Sequence, residues 1–117
     1  RMRHKKKILP KYFNAILDGT KTFEIRKEDD CCFEVGDLIE LIEITLEEDP
    51  TVFERGGRSI EQHGEWYSRR KQLIEITYRL DSNDFPEGIK EGYVVLGIKL
   101  VREDVPTVSK KEIVENI

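Results

Sequence analysis

The chain is 117 residues long, a length that suits one domain with a single hydrophobic core. Its 20 Lys and Arg against 24 Asp and Glu give a formal net charge of -4, which argues against a protein that coats nucleic acid through bulk positive potential. No apolar run approaches the roughly 20 residues of a membrane span, so we expect no membrane partner.

A basic stretch opens the chain and a short helix follows it. We expect residues 1–3 to form a solvated tail. Pro10 stands where a helix begins and Gly19 where a helix ends. The residues predicted to form the apolar face of this helix are Tyr12, Phe13, Ile16 and Leu17.

The helix leads into an alternation of polar and apolar residues that predicts a strand. Phe23 and Ile25 would lie on its dry face, and Thr22, Glu24 and Arg26 would form a polar row on its solvent face. An exposed charge pair in such a row is ordinary and is worth only ~0–1 kcal/mol. A hydroxyl, a carboxylate and a guanidinium in line also suit one wall of a binding site.

Cys31 and Cys32 are adjacent, which suits neither a disulfide framework nor the spaced ligand pairs of a zinc site. We interpret them as reduced thiols and expect a cytoplasmic protein. His4 and His63 do not form a metal site by themselves, so we expect no metal ion and no cofactor.

Three further strands are predicted at residues 38–44, 72–80 and 93–101. Residues 45–70 read as an irregular insertion, because they combine glycines, a proline and many charges with little periodicity. Ser109 and Glu112 predict the cap of a short C-terminal helix. We therefore expect a single domain over residues 1–117, of α+β class, built on a small sheet or barrel.

Several stretches together resemble the ASCH domains of the PUA-like superfamily, in particular a branch of small bacterial and phage proteins. The stretches are HKKKILPKYFNAILDGTKTFEIRKEDD, FEVGD, ITYRL and GIKEGYVVLGI. Gly19, Lys21, Glu24 and Arg26 match a Gly-x-Lys-x-x-Glu-x-Arg motif of that family. The resemblance implies a PUA-like pseudo-barrel, a small mixed β-barrel of about five or six strands with flanking short helices.

The resemblance also implies that this motif lines a cleft that receives RNA or a nucleotide base. Arg26 can fork onto a phosphate or a base edge, Lys21 supplies a point charge, and Glu24 can accept from an exocyclic amine. Aromatic side chains would add stacking. We predict a monomer whose RNA- or nucleotide-binding site is formed by Lys21, Thr22, Glu24, Arg26, Tyr67, Arg70 and Tyr93.

Two alternatives stay open from the sequence. One ASCH branch is a small amidohydrolase that removes an acyl group from modified cytidine with a lysine and a threonine. Lys21 matches that lysine, whereas Glu24 stands at the threonine position and Thr22 is the nearest hydroxyl, so these three would be the catalytic residues. The other alternative is a protein-interaction adaptor whose acidic segment, residues 43–54, docks a basic partner.

Overall fold

A computed structural model of the chain describes residues 1–29, 31–46, 60–62 and 64–102. Within these ranges the chain forms one helix and six strands. In chain order they are β1 Arg3–Ile8, α1 Pro10–Leu17, β2 Phe23–Lys27, β3 Leu38–Thr45, β4 Ile60–Gln62, β5 Glu65–Asp81 and β6 Tyr93–Leu100. No helix in this part of the chain has the length and apolar character that a bilayer crossing requires.

The strands form one mixed sheet in the order β1-β3-β5-β6-β2, with β4 paired to β5. β1 runs parallel to β3, and the other pairs are antiparallel. The prediction of a small β-rich domain with a short helix is confirmed. β1 and β2 are the two edges of the sheet, so strand pairing leaves it open between them.

The core lies between α1 and one face of this sheet. Phe13 and Ile16 of α1 are buried, three positions apart on one side of the helix. The other members of the core are Ile8, Phe33, Ile39, Leu41, Ile74, Ile76, Val94, Leu96 and Ile98. Each central strand contributes alternate residues, as expected when one face of a sheet is covered.

The predicted helix is confirmed, with Pro10 in its first turn. Gly19 adopts φ +85 just after the helix, a conformation that glycine reaches at little cost and that reverses the chain toward β2. The apolar face is narrower than predicted, because Tyr12 and Leu17 are exposed.

β1 is a strand that the sequence analysis did not predict, and it includes Arg3 of the expected tail. Met2, the residue before β1, is hydrogen-bonded to the start of β3. Its N–H donates to Asp37 Oδ1 at 2.9 Å, and its carbonyl accepts from Leu38 N at 2.9 Å. His4 and Ile8 are buried, so the strand does alternate. Its lysines conceal the alternation, because a long aliphatic stem can lie along apolar surface.

The segment predicted as irregular, residues 45–70, contains more regular structure than expected. Ile60–Gln62 form β4, and residues 65–70 belong to the long strand β5, where Tyr67 pairs with both Ile44 and Ile60. The consecutive charged residues at 69–71 interrupt the apolar alternation, so the sequence pattern does not predict that the strand extends through them. Residues 47–59 and the predicted C-terminal helix lie outside the described residues.

Candidate functional site

Glu24 and Arg26 of β2 face inward. Glu24 lies opposite Leu96 and Arg26 lies opposite Val94 in the pairing of β2 with β6. Directly opposed residues share a face of the sheet, and both partners are completely buried. Glu24 accordingly retains only 4% of its exposure.

The predicted orientation of β2 is therefore wrong. Phe23 and Ile25, expected on the dry face, are 44% and 57% exposed. The physical reason is that β2 is an edge strand whose inward carboxylate is neutralised by neighbouring cations. Once neutralised and hydrogen-bonded, a carboxylate can replace an apolar side chain on the inner face.

Two cations hold Glu24 in a compact cluster. The Lys21 ammonium donates to Glu24 Oε1 and to the carbonyl oxygen of Phe23, the latter at 2.6 Å. Arg26 Nε donates to Glu24 Oε2 at 2.7 Å. One carboxylate between two cations gives the Lys21–Glu24–Arg26 cluster a formal charge of +1.

Lys21 is positioned by the end of α1. Its backbone N–H donates to the carbonyl of Ala15 at 3.0 Å. Thr20 closes the turn before it, donating from its hydroxyl to Asp18 Oδ1 at 2.6 Å. The same turn lowers the pKa of the Asp18 carboxyl, because Thr20 donates to it from both its hydroxyl and its backbone N–H.

Arg26 also reaches across the opening between the two edge strands. Its Nη2 donates to the carbonyl oxygen of Lys7 in β1 at 3.2 Å. This contact joins the edges that strand pairing leaves apart. The cluster consequently lies at the seam of the sheet.

A pocket of about 450 Å³ occupies this seam. It is bounded by the end of β1, the first turn of α1 and the edge of β2. The residues that line it are Lys7, Ile8, Leu9, Tyr12, Lys21, Phe23, Glu24, Ile25 and Arg26. We call it the seam pocket.

Two partly exposed aromatic rings border the seam pocket beside the cluster. Lys21 Nζ lies 4.9 Å from the ring centroid of Phe23 and 5.7 Å from that of Tyr12, within the range of cation–π attraction. Sequence reasoning assigned both rings to apolar faces and missed them as site residues. The sequence feature that indicates Tyr12 as a site residue is its position directly before the buried Phe13. This position lies at the margin of the apolar face of the helix.

The predicted site residues are only partly brought together. Lys21, Glu24 and Arg26 meet in the seam pocket, whereas Thr22 is exposed and does not line it; the Thr22 carbonyl accepts from Ile98 N at 3.0 Å. Tyr93 lies opposite Lys27 and does not line the pocket.

Tyr67 and Arg70 belong to other contacts. The Tyr67 hydroxyl lies 3.4 Å from Glu65 Oε1. Arg70 donates from Nε and Nη2 to the two oxygens of Glu43, at 2.7 and 2.6 Å. The hydrogen bonds to Glu43 raise the pKa of Arg70.

Glu43 is completely buried and forms a second charged cluster with Arg70. The Ser68 hydroxyl donates to its Oε1 at 2.5 Å. The irregular pairing of β3 with β5 near residue 43 brings Ser68 and Arg70 to the same carboxylate. Arg70 also donates to Asn14 Oδ1 at 2.8 Å, so this cluster anchors α1. Glu43 is the first residue of the acidic segment in the adaptor hypothesis, and its burial prevents it from contacting a docking partner.

Comparison with known proteins identifies one relationship. A family model described as a domain of unknown function, DUF3850, matches residues 3–98. That range includes every residue that lines the seam pocket. No match to a curated protein is found.

Proposed function

The chain belongs to the DUF3850 family, and we propose that its seam pocket binds the base of a nucleotide, either free or within RNA. The observation that carries the proposal is the juxtaposition of two aromatic rings with a cationic cluster at a pocket of about 450 Å³. A volume of this order lies in the usual range for small-molecule sites, roughly 300–1,000 Å³.

The rings of Tyr12 and Phe23 offer the apolar surface that a planar heterocycle requires. Each retains 44% of its exposure, so neither ring is fully used by the core. Stacking of a base on an aromatic side chain contributes about 1–3 kcal/mol and tolerates any base. Ile25 and Leu9 extend the same apolar lining.

The cluster supplies hydrogen bonds to the edge or the phosphate of the ligand. Within the described residues, Lys21 uses two of its N–H bonds and Arg26 leaves Nη1 without a partner. Glu24 keeps lone pairs that can accept from an exocyclic amine. The formal charge of +1 favours a ligand that carries negative charge.

The proposed family relationship to ASCH domains of the PUA-like superfamily rests on the motif of Gly19, Lys21, Glu24 and Arg26. The approach of β1 and β2 through Arg26 is compatible with a pseudo-barrel. A monomeric state and a cytoplasmic location accompany this proposal as predictions.

Hydrolysis of an acylated cytidine is the rival function, and it needs a nucleophile at the ligand. The Thr22 side chain does not line the seam pocket, so base binding accounts better for the arrangement. Incubation with N-acylated cytidine distinguishes the two, because a hydrolase releases the free acid and a binding domain does not.

The test of the proposal compares two exposed tyrosines. Titration calorimetry with the four ribonucleoside 5′-monophosphates should detect binding to the unmodified chain. Tyr12→Ala removes a pocket ring and should weaken binding about 5-fold or more, the equivalent of about 1 kcal/mol of stacking. Tyr78→Ala is the matched control, because Tyr78 is 65% exposed and does not line the pocket.

A second pair of variants tests the charge. Lys21→Met should weaken binding of the same monophosphates, whereas Lys99→Met, an exposed lysine of β6, should not. Circular dichroism verifies that each variant is folded. Equal affinity in Tyr12→Ala, Lys21→Met and the unmodified chain would contradict the proposal.

A further inference from the structure

Two arginines outside the seam pocket, Arg70 and Arg79, are occupied by carboxylates. Arg70 is paired with the buried Glu43 at 2.6 Å. Arg79 is paired with Glu28 at 2.6 Å and with Asp81 at 3.1 Å. These guanidiniums are held by the protein itself and are not available to a phosphate backbone.

Two basic residues of β1 are also paired with carboxylates. Arg3 lies 3.1 Å from Glu40, and Lys7 at the pocket lies 2.6 Å from Glu65. The Lys6 ammonium lies 5.6 Å from the ring centroid of the buried Phe33. The strand therefore does not present its positive charges as a continuous track.

Three carboxylates are neighbours of pocket residues, two in the sequence and one by direct contact. Asp18 precedes Lys21 in the turn after α1, Glu28 follows the end of β2, and Glu65 contacts Lys7. Hydrogen bonds from Thr20 lower the pKa of Asp18, and those from Arg79 lower the pKa of Glu28. Asp18 is consequently ionised at neutral pH and repels a polyanion, whereas the charge of Glu28 is balanced by Arg79.

We infer that the ligand of the seam pocket is a single nucleotide and not an RNA strand. This inference rests on the proposed function and restricts its ligand class. A strand gains affinity from each phosphate that a cation neutralises, and here the four cations paired above are already neutralised by carboxylates of the chain. One base can stack on the two rings while its phosphate binds the Lys21–Glu24–Arg26 cluster. The phosphates of further nucleotides would lie near cations that are already paired with carboxylates.

The experiment compares ligands of increasing length on the unmodified chain. The probes are the four ribonucleoside 5′-monophosphates and mixed-sequence oligoribonucleotides of two, four and eight nucleotides. Titration at several salt concentrations gives the dissociation constant and its salt dependence for each probe. The tightest monophosphate should bind within about 3-fold of the octamer, and the slope of log K against log salt should remain near that of one phosphate, about -0.7, at every length.

The outcomes separate this inference from the proposed function. An octamer that binds more than about 10-fold tighter, with a slope that steepens by about 0.7 per added phosphate, would overturn the inference and leave base binding intact. Binding of oligonucleotides without binding of any monophosphate would overturn it in the same way. If no probe binds, the proposed function fails and the inference fails with it.

Charge reversals outside the pocket provide a second readout. Lys5 and Lys71 are exposed on β1 and β5 and do not line the pocket. Lys5→Glu and Lys71→Glu should leave the affinities for both the monophosphate and the octamer unchanged. Selective weakening of the octamer by either variant would indicate a strand path and contradict the inference.

Discussion

Glu24 of β2 and Leu96 of β6 lie directly opposite each other in an antiparallel pair. A carboxylate thus shares the inner face of the sheet with a fully buried leucine. An isolated charge in that position would be strongly destabilising. Lys21 and Arg26 compensate it from either side, and the same three side chains become the charged wall of the seam pocket.

Removing the charge of Glu24 tests this compensation. Glu24→Gln keeps the size of the side chain but leaves Lys21 and Arg26 without a counter-charge, so the free energy of unfolding should fall by about 1–3 kcal/mol. Urea denaturation at pH 7 measures the change. Glu75→Gln is the control: Glu75 lies 4.0 Å from Lys99 in a more exposed pair, where the expected loss is below about 1 kcal/mol. Equal losses in the two variants would contradict the role of Glu24.

Elements with strong local signals could be predicted from the sequence. Pro10 and Gly19 define the limits of α1, and the apolar alternation of residues 38–44 and 93–101 identifies β3 and β6. The cluster residues Lys21, Glu24 and Arg26 could be selected together because they belong to one short stretch. Residues so near to one another in the sequence, at the start of one strand, are also near to one another in the fold.

What the sequence did not reveal depends on pairing between distant strands. The inward orientation of Glu24 follows from its register with Leu96, and periodicity alone does not specify which face of an edge strand is covered. The sequence predicts Tyr67 and Tyr93 as site residues, but their positions depend on strand pairing, and neither lines the seam pocket. Tyr12 does line it, because α1 packs beside the end of β1.

The buried cluster of Glu43 provides a second stability prediction. Glu43→Ala would remove the carboxylate that neutralises Arg70 and accepts from Ser68, and it should reduce the free energy of unfolding by about 3–5 kcal/mol. Ser68→Ala removes one donor while Arg70 still neutralises Glu43, so we expect a smaller loss of about 1 kcal/mol. Urea denaturation of both variants measures the difference. A loss in Glu43→Ala no larger than that in Ser68→Ala would show that the ion pair contributes little.

The pH dependence of stability should report on Glu28. Hydrogen bonds from Arg79 hold the pKa of Glu28 below its usual value of 4.5. A carboxyl whose pKa is lower in the folded chain stabilises it fully above its unfolded pKa, and this contribution disappears as the pH falls through the folded pKa. Glu28→Gln should therefore be less stable than the unmodified chain at pH 7, with a difference that shrinks below about pH 4.5. Denaturant titrations between pH 3 and 7 test this, and a difference independent of pH would contradict it.

Gly97 of β6 lies where two exposed aromatic residues approach the same strand. It is opposite Phe23 on β2 and opposite Tyr78 on β5. A methyl group added there would lie 3.1 Å from Thr77 Oγ1 and 3.2 Å from Tyr78 Cβ. These contacts are shorter than ordinary van der Waals separations, and Tyr78 follows the irregular pairing between residues 76 and 78.

Gly97→Ala should consequently destabilise the chain by about 1–3 kcal/mol, because β5 must shift to relieve the crowding. Without that crowding, replacement of glycine by alanine in a strand would be stabilising, since it restricts the unfolded chain by about 0.4–1 kcal/mol. The sign of the change is therefore decisive. Urea denaturation gives that sign, and Lys99→Ala on the same strand, an exposed substitution expected to change stability by at most about 0.5 kcal/mol, is the control. A more stable Gly97→Ala variant would show that β5 yields without cost at this position.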